Sequence, residues 1–86
     1  IKKYLNFKLM KIKIYGADWC SDCIHAKDFL NSREIPFEYI IITDNNDAIA
    51  FIEKVNNGKR IIPTIDVDGQ IYVNPGIDGL MKIITE

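Results

Sequence analysis

Trp19-Cys20-Ser21-Asp22-Cys23 is the stretch whose reading decides the fold. It holds both cysteines of the chain, and it stands where one pattern gives way to another. Upstream, Lys11-Ile12-Lys13-Ile14-Tyr15 alternates with period two, as a strand does. Downstream, over 20–33, Cys23, Ala26, Phe29 and Leu30 share a face at helical spacing, with Lys27, Asp28 and Asn31 mostly opposite. Gly16-Ala17-Asp18-Trp19 is the turn between them. A Cys-x-x-Cys at a helix N-terminus suits thiol–disulfide exchange. The free backbone N–H groups and the positive end of the helix dipole favour a thiolate on Cys20. Cys23, one turn on and expected to be more buried, can resolve the mixed disulfide that such a thiolate forms.

Composition narrows the remaining choices. A chain of 86 residues has room for one core and one domain. With 48% hydrophobic and 27% charged residues it has an ordinary globular balance. The formal net charge of −1 predicts neither nucleic acid nor a membrane surface as a partner. A chain with 2 cysteines cannot be a disulfide-stapled scaffold. A close pair in a chain with its own core points to redox or metal chemistry in a reducing, cytoplasmic setting. Residues 1–9 are basic and partly apolar (Lys2, Lys3, Lys8; Leu5, Phe7, Leu9). They lack the apolar run and small-residue cleavage site of a signal peptide and read as an extension. The compact domain is expected to occupy 10–86, starting near Met10. No run approaches the roughly 20 apolar residues of a membrane-spanning helix.

The rest of the chain alternates. Ile35-Pro36 ends the first helix, because proline disfavours helix at the residue before it. Phe37-Glu38-Tyr39-Ile40-Ile41-Ile42 reads as a strand, and its three isoleucines predict burial on both faces in a central parallel position. Thr43-Asp44-Asn45-Asn46 is rich in capping residues. A helix carrying Ile49, Ile52 and Val55 follows and stops at Asn57-Gly58. Strands over 61–67 and 70–73 are joined by Asp68-Gly69, a hairpin signal. Asn74-Pro75-Gly76 breaks the sheet, and 77–85 reads as a last helix. The order β-α-β-α-β-β-α predicts an α/β fold: a four-stranded mixed sheet flanked by three helices.

That order, the Cys-x-x-Cys at the first helix, and Ile62-Pro63-Thr64 ahead of an Asp-Gly hairpin together resemble a glutaredoxin, the minimal thioredoxin-like fold. The resemblance covers roughly residues 11–86. Trp19-Cys20 is closer to thioredoxins. Asn74-Pro75-Gly76 and the Trp-Cys-x-Asp-Cys pattern are most similar to the mycoredoxin-like branch of small glutaredoxins. The resemblance implies a dithiol oxidoreductase that needs no bound cofactor, acting on disulfide-containing proteins or mixed disulfides. It is expected to be a monomer. Glutathione, another low-molecular-weight thiol or a flavin reductase would supply electrons. Pro63 corresponds to the cis-proline that faces the active cysteine in such folds. Ile62 before it would present backbone groups to a substrate strand.

Each site residue has a plainer alternative. Cys20 and Cys23 could instead hold a metal. Zinc wants four ligands, and this region offers Cys20, Cys23 and His25. A c-type haem would need histidine where Ile24 stands. A non-enzymatic module holding an iron–sulfur cluster across a dimer is a further alternative, because some glutaredoxins hold such a cluster with glutathione, usually ones that are monothiol or carry small residues between the cysteines. Asp22 disfavours a thiolate on either neighbour, yet acids suit a first helical turn for structural reasons alone. It could also accept the Cys23 proton. Trp19 reads as an exposed aromatic for partner contact, and His25 as a solvent-facing helix residue. Lys59 and Arg60 either meet a substrate carboxylate or belong to a solvated loop.

The chain departs from the family pattern at two places. Many glutaredoxins carry lysine where Ala17 stands. They also carry Gly-Gly and then a polar-Asp pair that binds the γ-glutamyl end of glutathione. Those positions are Pro75-Gly76 and Asp78-Gly79 here. Asp78 could substitute for part of the acid pair. Restoring the second acid as Gly79→Asp is expected to improve the use of glutathione.

Overall fold

The computed structural model of the protein describes residues 10–85. The extension expected over 1–9 lies outside the described residues. The elements follow in the order β1 (Ile12–Gly16), α1 (Ser21–Ser32), β2 (Glu38–Ile41), α2 (Asn46–Val55), β3 (Thr64–Val67), β4 (Gln70–Val73) and α3 (Gly76–Thr85). The sheet order is β2-β1-β3-β4. β1 runs parallel to β2, with Tyr15 opposite Ile40, and antiparallel to β3, with Ile14 opposite Ile65. β3 and β4 form the expected antiparallel hairpin. Asp68 and Gly69 both adopt positive φ there, and Asp66 Oδ1 accepts the Gly69 N–H at 2.7 Å.

The period-two pattern of β1 splits the core in two. Ile12 and Ile14 point to one face, where they pack with Ala26 and Leu30 of α1, Ile65 and Val67 of β3, and Leu80 and Ile84 of α3. Tyr15 points to the other face, against Ala48 and Ile52 of α2. Its ring stacks on Phe51 with centroids 5.0 Å apart. A strand that buries both faces must itself be central, and β1 is flanked on both sides by sheet partners.

β2 departs from the expectation of a central strand. It is an edge strand, paired to β1 alone. Ile40 and Ile42 are half-buried against the α2 side, and Ile41 is 43% exposed. The isoleucine run therefore covers one face and leaves one side chain in solvent. An apolar run by itself does not separate edge from centre.

β3 begins at Thr64, three residues later than the pattern predicts, because the chain bends at a cis Ile62–Pro63 bond. Thr64 anchors that bend from inside. Its hydroxyl donates to the Ile61 carbonyl at 2.6 Å and accepts from Asn56 Nδ2 at 3.0 Å. Both side chains are buried. Replacing Thr64 by valine keeps the volume but leaves the Asn56 amide without its partner. Thr64→Val is expected to cost about 1–3 kcal/mol in urea denaturation, and unchanged stability would show that this pair does not hold the bend.

Candidate active site

Cys20 is the N-cap of α1. Its backbone is extended (φ −91°, ψ 110°), and its carbonyl accepts the first helical bond from Ile24 at 3.0 Å. Its sulfur does what a serine or aspartate oxygen does at most helix starts: Cys20 Sγ accepts the N–H of Cys23 at 3.2 Å. Cys23 follows one turn into the helix. The two sulfurs are joined as a disulfide, with Cα atoms 5.2 Å apart. Cys20 keeps 9% exposure and Cys23 none. Reduction would therefore open one sulfur towards solvent and leave the other inside.

Gly16 makes this seat possible. A Cβ there would stand 2.7 Å from the Tyr39 hydroxyl and 2.9 Å from Cys23 Sγ. Only a residue without a side chain lets β1 pass so close to the buried sulfur. Tyr39 Oη donates to the Ala17 carbonyl at 2.9 Å, and its ring packs on Ala17, Cys20 and Cys23. Burial pushes the Tyr39 phenol above its usual range, and the charge of Asp18 pushes it further. The bond to Ala17 offsets part of this.

Ile62 packs on the same cysteine cluster. Pro63 is buried beside it and borders a cleft of about 200 Å³ lined also by Asp22, His25, Asn74, Pro75 and Ile77. Asn74 closes the frame. Its backbone N–H donates to the Pro63 carbonyl at 2.8 Å, and its side-chain amide donates to Asp22 Oδ2 at 3.2 Å. It sits at φ +41°, a left-handed conformation that asparagine tolerates well. One residue thus ties the first turn of α1 to the cis-proline loop. In the sequence Asn74 stands in the Asn-Pro-Gly that breaks the sheet, and nothing local joins it to Asp22, 52 residues away. Tyr39 carries no local signal either, because a tyrosine in a strand announces no partner.

Trp19 is 77% exposed and faces a second, shallower groove of about 500 Å³ with Ile42, Ile49, Arg60 and Ile62. Arg60 Nε donates to Glu53 Oε2 at 2.6 Å, so its charge is partly engaged. Lys59 is exposed. Asp78 is exposed on the first turn of α3 and lines neither depression. Gly79 has no room for a side chain: a Cβ there would stand 2.7 Å from Pro75 Cβ. A side chain at 79, as in Gly79→Asp, therefore requires Pro75 or the helix start to shift. Gly76, at φ +72°, is the first residue of α3 and follows Pro75 directly.

Among the described residues, no group of three or more His, Cys, Asp or Glu side chains comes together as metal ligands would. The metal-module alternative therefore gains no support. No helix among them is long and apolar enough to cross a membrane.

Comparison with known proteins agrees with this arrangement. The glutaredoxin family profile matches residues 12–72. Rv3198A of Mycobacterium tuberculosis, assigned by its name to the glutaredoxins, is 34% identical over 68 residues, covering 78% of this chain and 81% of that protein. Mycoredoxin 1 of Corynebacterium glutamicum is 31% identical over 68 residues, covering 78% and 84%. The solved glutaredoxin of Archaeoglobus fulgidus superposes with a TM-score of 0.73 at 23% identity, covering 95% of each chain, and shares the fold. With this fold, a Cys-x-x-Cys pair capping its first helix and these relatives, the chain belongs to the glutaredoxin family of thiol–disulfide oxidoreductases.

Proposed function

We propose that the chain reduces protein disulfides or mixed disulfides by two-cysteine chemistry, with Cys20 as nucleophile and Cys23 as resolving thiol. The observation that carries this reading is the placement of the two sulfurs. Cys20 Sγ accepts a helix N-terminal N–H and keeps 9% exposure, whereas Cys23 is fully buried. Cys20 thiolate attacks one sulfur of the substrate, a Cys20–S–S–R bond forms, and the other half leaves as a thiolate. Cys23 then attacks Cys20 Sγ, R leaves as its thiolate, and the Cys20–Cys23 disulfide remains. Two electrons have passed to the substrate, and an outside thiol or reductase returns them.

Trp19, Asp22, Ile62 and Pro63 border the substrate in this reading, with Ile62 packed on the cysteine pair. Asp78 contributes charge at a distance rather than contact. No bound cofactor is needed, a monomer suffices, and a reducing cytoplasm suits the cycle. In a Cys23→Ser variant nothing resolves the first adduct, so a mixed disulfide with substrate should accumulate on Cys20. Cys20→Ser should abolish exchange. Mass spectrometry of quenched reactions checks both, and equal residual turnover in the two variants would defeat the scheme.

The preferred electron donor follows from what the β1–α1 turn and the last helix lack. An alanine at 17 and a glycine at 79 remove two charged contacts that glutathione finds in many family members. At ~1.5–3 kcal/mol each, and about 1.4 kcal/mol per decade, their loss weakens glutathione binding by about a hundredfold or more. A reductase or a different small thiol is the preferred donor. Pro75 keeps the acid from being restored alone. Alanine in place of a helical glycine ordinarily gains about 0.5–1 kcal/mol. Gly79→Ala should instead cost about 1–3 kcal/mol through overpacking, and Pro75→Gly should remove that cost. Glutathione use should improve only in Pro75→Gly with Gly79→Asp. Urea denaturation and a glutathione-coupled assay read the two effects, and a stable, glutathione-active Gly79→Asp single variant would contradict them.

A further inference from the structure

Resolution asks a fully buried sulfur to become a nucleophile. Burial without a partner disfavours a thiolate. The helix N-terminus does not help Cys23 in the way it helps Cys20, because the N–H of Cys23 points at Cys20 Sγ. Side chains of Tyr39 and Ile62 pack on the cluster of Ala17, Cys20 and Cys23, and Tyr39 brings a hydroxyl. That hydroxyl and Cys23 Sγ both lie close to the place a Gly16 Cβ would occupy, at 2.7 and 2.9 Å. Glycine at 16 puts no side chain of its own there.

We propose that Tyr39 is a positioning residue for the resolving step, its hydroxyl donating a hydrogen bond to Cys23 Sγ as that sulfur takes on negative charge. The inference rests on the two-cysteine reading and deepens it. In the disulfide the Tyr39 proton is given to the Ala17 carbonyl at 2.9 Å. A phenolic hydrogen turns about its C–O bond, so the same oxygen can serve either acceptor. As Cys23 attacks, the Cys23–Cys20 bond forms and the Cys20–S–R bond breaks. The electron pair leaves on R–S⁻, which takes up the Cys23 proton. Tyr39 keeps its own proton throughout, as befits a phenol whose burial holds it protonated.

Lys27 Nζ lies 4.8 Å from the Tyr39 ring centroid. The charged groups around the pair are Lys27, Asp18 beside the phenol, and Asp22 in the first turn of α1. Ile62 and Ala17 bring none.

Tyr39→Phe keeps the ring and its packing and removes the donor. The test is a single turnover of the reduced full-length protein with bis(2-hydroxyethyl) disulfide, quenched by acid and read by mass. Formation of the Cys20 adduct should change less than about twofold. The adduct should persist about tenfold longer, as expected for one lost hydrogen bond to a charged sulfur. The pH profile of resolution should move to higher pH, since Cys23 loses a group that favours its thiolate. Replacing Tyr39 by 3-fluorotyrosine keeps the size, makes the hydroxyl a stronger donor, and should move the profile the opposite way. It also keeps the test intact if Tyr39→Phe fails to fold. Unchanged adduct lifetime and pH profile in both variants would overturn the role of Tyr39. A wild-type protein that never forms a Cys20 adduct would overturn the two-cysteine reading and this inference with it.

Discussion

A sulfur caps the first helix, and the rest of the site is arranged around that fact. Helix starts leave N–H groups unpaired, and side-chain oxygens usually fill them. Here Cys20 Sγ takes the N–H of Cys23 instead. The cap therefore supports structure and chemistry at once. The arrangement that begins α1 also presents positive partial charge to the atom that becomes a thiolate. Everything else constrains where this cap can stand. Gly16 lets Cys23 come against β1, Ile62 packs on the pair, and Asn74 fastens the first turn of α1 to the cis-proline loop.

The two sulfurs share a helix turn but not an environment. Cys20 meets solvent and the helix end, and Cys23 meets β1, Tyr39 and no solvent. In the proposed cycle a substrate reaches the first and not the second; that asymmetry sets the order of the steps and leaves the second in need of help from the protein interior.

Much of the fold could be read from short-range pattern. Alternation in β1, the Asp-Gly hairpin and the apolar face of α1 each depend on neighbours within a few residues, and each stands where it was expected. The edge position of β2 is hidden in the sequence for a physical reason. Ile40 and Ile42 need one apolar neighbour, α2, and that need does not say whether a second strand lies alongside. The delayed start of β3 has another, since the bend at Ile62–Pro63 is fixed by Asn56 and Thr64 from different elements. The site divides in the same way. The Cys-x-x-Cys pair and Pro63 carry local motifs. The Asp22–Asn74 bond, the Tyr39–Cys23 approach and the conflict of Pro75 with a side chain at 79 exist only once the chain has folded. The last of these links two departures from the family pattern that looked independent in the sequence. With Pro75 in place, a Cβ at 79 would stand 2.7 Å from the proline's own, so the two departures meet at one contact.

The central claim is that the end of α1 makes Cys20, and not Cys23, the thiolate at neutral pH. Timed alkylation of the reduced protein across pH, with each cysteine followed by mass spectrometry, tests it most directly. The account predicts that Cys20 is modified first, with an apparent pKa below the free-cysteine value of about 8.5, and that Cys23 follows only slowly. Modification of Cys23 first, or of both cysteines at one rate with an unshifted pKa, would contradict it.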